Sequence, residues 1–101
     1  MFQHNLYFWL QENLSDEEKG QFHAAVNNLL AISAVERGYF GTPIASERPI
    51  VDDSFSFSVH LTFKNTEAHD QYQVDPLHTS FVAENRAKWT RLVIYDSELS
   101  A

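Results

Sequence analysis

Tyr72 and His78 straddle the start of a helix, and their side chains carry the chemistry most worth following in this chain. Asp75 followed by Pro76 reads as an N-cap with proline in the first helical position, where a missing amide proton costs nothing. His78, Phe81, Val82, Asn85 and Trp89 then recur at helical spacing, which places an imidazole on a face of apolar groups. An imidazole exchanges protons near neutral pH, and a phenol can donate to a substrate carbonyl or a developing enolate. His4 and Asp96 add an imidazole and a carboxylate from the two ends of the chain. If Asp96 accepts a hydrogen bond from His78 or His4, it holds that ring in one tautomer and raises its basicity, the arrangement general-base chemistry needs.

The elements that must bring these four residues together are legible from periodicity. Phe2 to Leu10 alternates, with Phe2, His4, Leu6, Phe8 and Leu10 on one face and Gln3, Asn5, Tyr7 and Trp9 on the other. Ser15 and Glu18 form a capping box, and Phe22, Ala25, Val26, Leu29 and Leu30 continue as an apolar stripe, so a helix is expected from Asp16 to Ile32. Val35 to Thr42 reads as a weaker strand whose Gly38 and Gly41 suggest bulges or close backbone approach. After a polar loop, Ser54 to Phe63 alternates without exception. A short helix over Thr66 to Gln73, a longer one over Pro76 to Trp89 and a last strand over Arg91 to Ser97 complete the order β-α-β-β-α-β.

That order is the ferredoxin-like α+β arrangement, one domain over residues 1–101 with an antiparallel sheet ordered 4-1-3-2 and helices on a single face. Strand parity then puts His4 beside Asp96, both pointing under the helices, with the start of the His78 helix at the same edge. The walls of the resulting pocket would be Leu6, Phe8, Phe22, Val26, Val59, Leu61, Phe81, Trp89, Leu92 and Ile94, suited to an aromatic or long acyl ligand. The opposite face would carry Asn5, Tyr7, Trp9, Ser56, Ser58, His60, Thr62, Val93 and Tyr95. Exposed aromatic patches of this kind mark interfaces, and a second copy related by a twofold axis is the expected cover.

Composition narrows the alternatives. Eight Phe, four Tyr and two Trp supply core material, while the net charge of −7 repels phosphate backbones and anionic headgroups, so neither nucleic acid nor membrane is expected as a partner. The absence of cysteine removes thiolate chemistry and fits a reducing, cytoplasmic setting. No cleavable leader or membrane-spanning run is evident.

The pattern Tyr72, Pro76, His78 and Phe81, together with His4 on the first strand, Trp89 and the closing Val93-Ile94-Tyr95-Asp96, resembles the stress-responsive dimeric A/B barrel (Dabb) family over nearly the whole chain. The resemblance implies a ferredoxin-like protomer, a homodimer and a pocket between sheet and helices. It also implies roles by analogy with a plant polyketide cyclase of that family. A histidine matching His78 is the base for aldol ring closure there, and a tyrosine matching Tyr72 holds and polarises the substrate. His4 and Asp96 match as well. The chain departs from relatives in having Asp75 before Pro76, where many have histidine, and Phe57 where the cyclase has another histidine.

Structural readings stand beside these. His78 and Asp96 could satisfy each other within a filled core, His4 could pair locally, and Phe81 and Trp89 suit a core as well as a pocket wall. His60 belongs to the open face, and His23 and His69 read as surface residues. His4, His78 and Asp96 have ligand types suited to zinc or iron, but no local spacing supports a metal, so no metal or other cofactor is expected. A non-catalytic dimer and a cofactor-free oxygenase are the two alternative functions, the second by fold analogy alone.

Overall fold

Alternation and capping produce the elements that a computed structural model describes over all residues, Met1–Ala101. They are β1 (Phe2–Leu10), α1 (Asp16–Leu30), β2 (Arg37–Gly41), β3 (Phe57–Phe63), α2 (Thr66–Val74), α3 (Pro76–Asn85), a 3-10 turn (Arg86–Lys88) and β4 (Trp89–Glu98). The four strands form one sheet in the order β2-β3-β1-β4, antiparallel throughout, so the ferredoxin-like topology holds. No helix is long and apolar enough to cross a membrane.

Local chemistry explains the boundaries. Ser15 and Glu18 form the reciprocal capping box at α1, and the helix ends at Leu30, capped by Ala31, two residues before the expected Ile32. Asn65 accepts from Ala68 N–H to cap α2, while Asp75 ends α2 and caps α3 by accepting from Leu77 N–H. The third helix was expected to run through Trp89, yet it stops at Asn85. There the Asn85 amide turns back to donate to the Phe81 carbonyl, and a 3-10 turn releases Trp89 into β4. Trp89 still stacks on Phe81, at 6.1 Å between ring centroids, but from the sheet rather than from the helix.

Pairing in β3 begins at Phe57 rather than Ser54, because the preceding serines are engaged elsewhere. Ser54 bonds Asp52 and accepts from the Trp9 indole, and Ser56 Oγ accepts from Leu10 N–H. The two glycines of β2 mark close approach rather than bulges. A Cβ at Gly38 would meet Leu30 Cδ2 at 2.8 Å, and one at Gly41 would meet Ser58 Oγ at 2.5 Å. Neither has a positive φ.

The core lies between the helices and the inner face of the sheet. Phe8, Phe22, Val26, Leu29, Val59, Leu61, Phe63 and Tyr72 are its fully buried side chains, and the edge-on ring of Phe22 against Phe8, 5.3 Å apart, ties α1 to the central strand.

Candidate functional site

Register decides which polar groups meet beneath the helices. His4 lies opposite Asp96 across the β1–β4 ladder, and Leu6 and Phe8 lie opposite Ile94 and Leu92. His4 Nδ1 and Asp96 Oδ1 are 2.5 Å apart. The carboxylate at Asp96 therefore orients His4 and leaves its other nitrogen, Nε2, as the ring's free acceptor. Asp96 makes no bond to His78, the other partner open to it. His4 is only 4% exposed, and its burial pulls the imidazole below its ordinary titration range despite the opposing hydrogen bond and charge of Asp96.

Next to this pair, a cavity of about 330 Å³ opens between β1, β4, α2 and α3. His4, Tyr72 and His78 line it together with Leu6, Phe8, Phe81, Trp89, Leu92 and Ile94, while Gln73 and Arg86 supply polar groups. Four other expected wall residues need correction. Phe22, Val26, Val59 and Leu61 pack in the core, where α1 covers the centre of the sheet, and they do not reach the cavity. Leu29 and Val82 line it instead. Asp96 also stands outside the lining, at the solvent edge behind His4.

Tyr72 and His78 face each other with ring centroids 4.7 Å apart. The Tyr72 hydroxyl and His78 Nδ1 are both buried, and neither has a hydrogen-bond partner. Burial raises the phenol well above its ordinary titration range, so it stays a donor. Burial lowers His78, against a weaker pull from the Gln73 backbone, so the ring is neutral and able to accept a proton. An apolar cavity ending in a neutral imidazole and a protonated phenol can accept a proton from carbon and hydrogen-bond the oxygen that gains charge.

His69 departs from its expected place on the surface. It is 7% exposed, its ring stacked on Phe2 at 4.4 Å and 4.8 Å from the ring of His4. The one available signal was its position three residues before Tyr72, which puts both on one face of α2. By contrast, His23 is exposed and stacks on Phe40.

On the outer face, Asn5, His60 and Ser58 form a closed network, His60 Nδ1 lying 2.8 Å from Asn5 Oδ1 and Nε2 3.0 Å from Ser58 Oγ. Ser56 serves the backbone of Leu10, and Thr62 donates to the Arg37 carbonyl. Tyr7 contacts Phe55, His60 and Tyr95 edge-on, Trp9 lies under the Arg91 guanidinium at 4.4 Å, and Val93 completes a shallow hollow with them. Tyr95 is left 63% exposed.

A family model described as the Stress responsive A/B Barrel Domain matches residues 2–99. Among solved structures, the chain is similar to a hydroxynitrile lyase from Passiflora edulis, with TM-score 0.85 and 18% identity over 98% of this chain and 93% of that one. It is also similar to a Dabb family protein with a ferredoxin-like fold from Mesorhizobium loti, with TM-score 0.80 and 20% identity over 99% and 97%. A dimeric ferredoxin-like protein of unknown function from Thermobifida fusca gives TM-score 0.80 and 18% identity over 97% and 90%. No curated protein matches the chain by sequence.

Proposed function

Because the chain belongs to the stress responsive A/B barrel domain family, we propose that it acts as a homodimer whose protomers each bind a small aromatic or hydrophobic carbonyl compound and perform cofactor-free acid/base chemistry on it. His78 is the base, Tyr72 the donor to the carbonyl oxygen, and His4, held by Asp96, the second imidazole at the cavity wall. The observation that carries this reading is the pair of buried, unpartnered polar atoms, Tyr72 Oη and His78 Nδ1, on side chains lining one apolar cavity. In a filled core each orphan costs about 1–3 kcal/mol, whereas a bound carbonyl compound gives both a partner. A lyase among the structural relatives fits this reading, since the fold accommodates catalysis. The open face with Tyr7, Trp9, Val93 and Tyr95 at its centre is the dimer surface in this proposal, in keeping with a relative described as dimeric.

Hydrogen–deuterium exchange at the carbon next to a carbonyl tests the chemistry before any natural substrate is known. With 1-phenyl-1,3-butanedione in deuterated buffer, the protein should speed exchange well above buffer, measured by proton NMR. His78→Ala should remove roughly 10²–10⁴-fold of that rate, the usual contribution of a positioned base. Absence of both exchange and any thermal shift with this compound would refute the reading.

A further inference from the structure

Three side chains outside the proton chemistry of His78 and Tyr72 converge at the rim of the sheet. His4 comes from β1, Asp96 from β4 and His69 from α2, and one ligand atom from each lies within 4.8 Å of the others. We propose that His4, His69 and Asp96 bind a divalent transition-metal ion of the zinc class.

The donor set argues for this class. Two imidazole nitrogens and one carboxylate oxygen suit zinc or iron(II), whereas calcium and magnesium require more oxygen than this cluster holds. His69 supplies the independent observation. Its Nδ1 lies 3.8 Å from the Asp70 carboxylate, and its other nitrogen, Nε2, is buried with no partner. An orphaned ring nitrogen facing a second imidazole and a carboxylate is a vacant donor with its companions already in place. Asp70 lies on the side of the ring away from Nε2, 3.8 Å from Nδ1, and would need to close to hydrogen-bond distance to act as the outer carboxylate of a carboxylate–histidine–metal arrangement.

Ligand atoms around an ion at about 2.0–2.2 Å stand roughly 3.3 Å apart, so the His4–Asp96 pair at 2.5 Å must open slightly, which rotation of the half-exposed Asp96 side chain would allow. The rings of His4 and His69 pack on Phe2 and Phe63 in tilted, stacked or edge-on contacts. Three protein ligands at a solvent edge leave a coordination position for water, the form of an open rather than a structural site. Coordination would exchange the His4–Asp96 hydrogen bond for a shared ion. His4 lines the cavity and Asp96 holds it in the proposed function, so the test reads metal binding itself rather than turnover.

Titration of the chelator-treated full chain with Co²⁺, followed by its visible absorption, and with Zn²⁺ by calorimetry, is the test. One ion should bind per protomer. His69→Ala and Asp96→Asn should each weaken it by at least about tenfold, the loss that even an outer partner produces. Asp96 is exposed enough that its variant tests the site even if His69→Ala misfolds. His23→Ala, at an exposed histidine elsewhere, should change nothing. The inference is overturned if no ion binds below millimolar concentration. It is equally overturned if binding survives His69→Ala and Asp96→Asn unchanged, or is lost in His23→Ala instead.

Discussion

Replacing Tyr72 by phenylalanine separates a ligand site from a filled core by the sign of its effect. The Tyr72 ring is held by Phe63 at 5.1 Å and His78 at 4.7 Å, contacts that Tyr72→Phe keeps. Only the hydroxyl is lost, and it is buried without a partner. Its desolvation costs about 1–3 kcal/mol, so removing it should stabilise the protein by about 1 kcal/mol at the low end. A chain of this length has an unfolding entropy near 0.2 kcal/mol/K, which converts that gain to a melting temperature about 5 °C higher. Binding of 1-phenyl-1,3-butanedione should move the other way. Loss of one hydrogen bond of about 0.5–1.5 kcal/mol weakens it roughly 2- to 12-fold. Calorimetric melting at fixed protein concentration and a ligand titration on the same samples supply both numbers. A hydroxyl hydrogen-bonded within the core would do the reverse, with melting lowered, and an affinity left untouched would show that the hydroxyl does not serve the ligand; either result would refute the reasoning. A stability gain purchased with affinity is the expected signature of a binding site.

Four further outcomes follow from the same structure. His60 and His78 both titrate below the ordinary 6.5 because burial disfavours the charged ring, so the unfolded chain binds more protons just below that pH. Their contribution is fully present above about pH 6.5 and is lost as pH falls; denaturant midpoints between pH 7.5 and 5 should decline, with a shallower slope in His60→Asn. Tyr95→Glu places a charge on the exposed centre of the open face and should convert dimer to monomer in light scattering. A hot-spot loss of about 2 kcal/mol already weakens association roughly 30-fold, and an undiminished dimer would locate the interface elsewhere. Gly38→Ala should cost about 1–3 kcal/mol in urea unfolding, since its Cβ would meet Leu30 and Leu61. Gly20→Ala, in open space on α1, should instead gain about 0.5–1 kcal/mol.

Local rules determined a good deal of this protein without any coordinates. Two-residue alternation in Phe2 to Leu10 and Leu92 to Asp96 set which side chains share a face, and antiparallel order then required His4 and Asp96 to be neighbours. The Ser15, Asn65 and Asp75 caps are local as well, because a side chain and an amide two or three residues away suffice to form them.

Packing decided the rest. Whether Asp96 would serve His4 or His78 depended on how far the His78 helix stands from the edge of β4, a distance no periodicity encodes. Phe22, Val26, Val59 and Leu61 carry the same apolar signature as the cavity wall. Only the placement of α1 over the sheet centre assigns them to the core. His69 shows the limit most clearly. On a helix of mixed polarity it reads as solvent-facing, but α2 lies across the start of β1 and presses that ring between Phe2 and His4. Sequence pattern sets direction within an element, whereas the neighbour a side chain meets depends on the docking of elements distant in the chain.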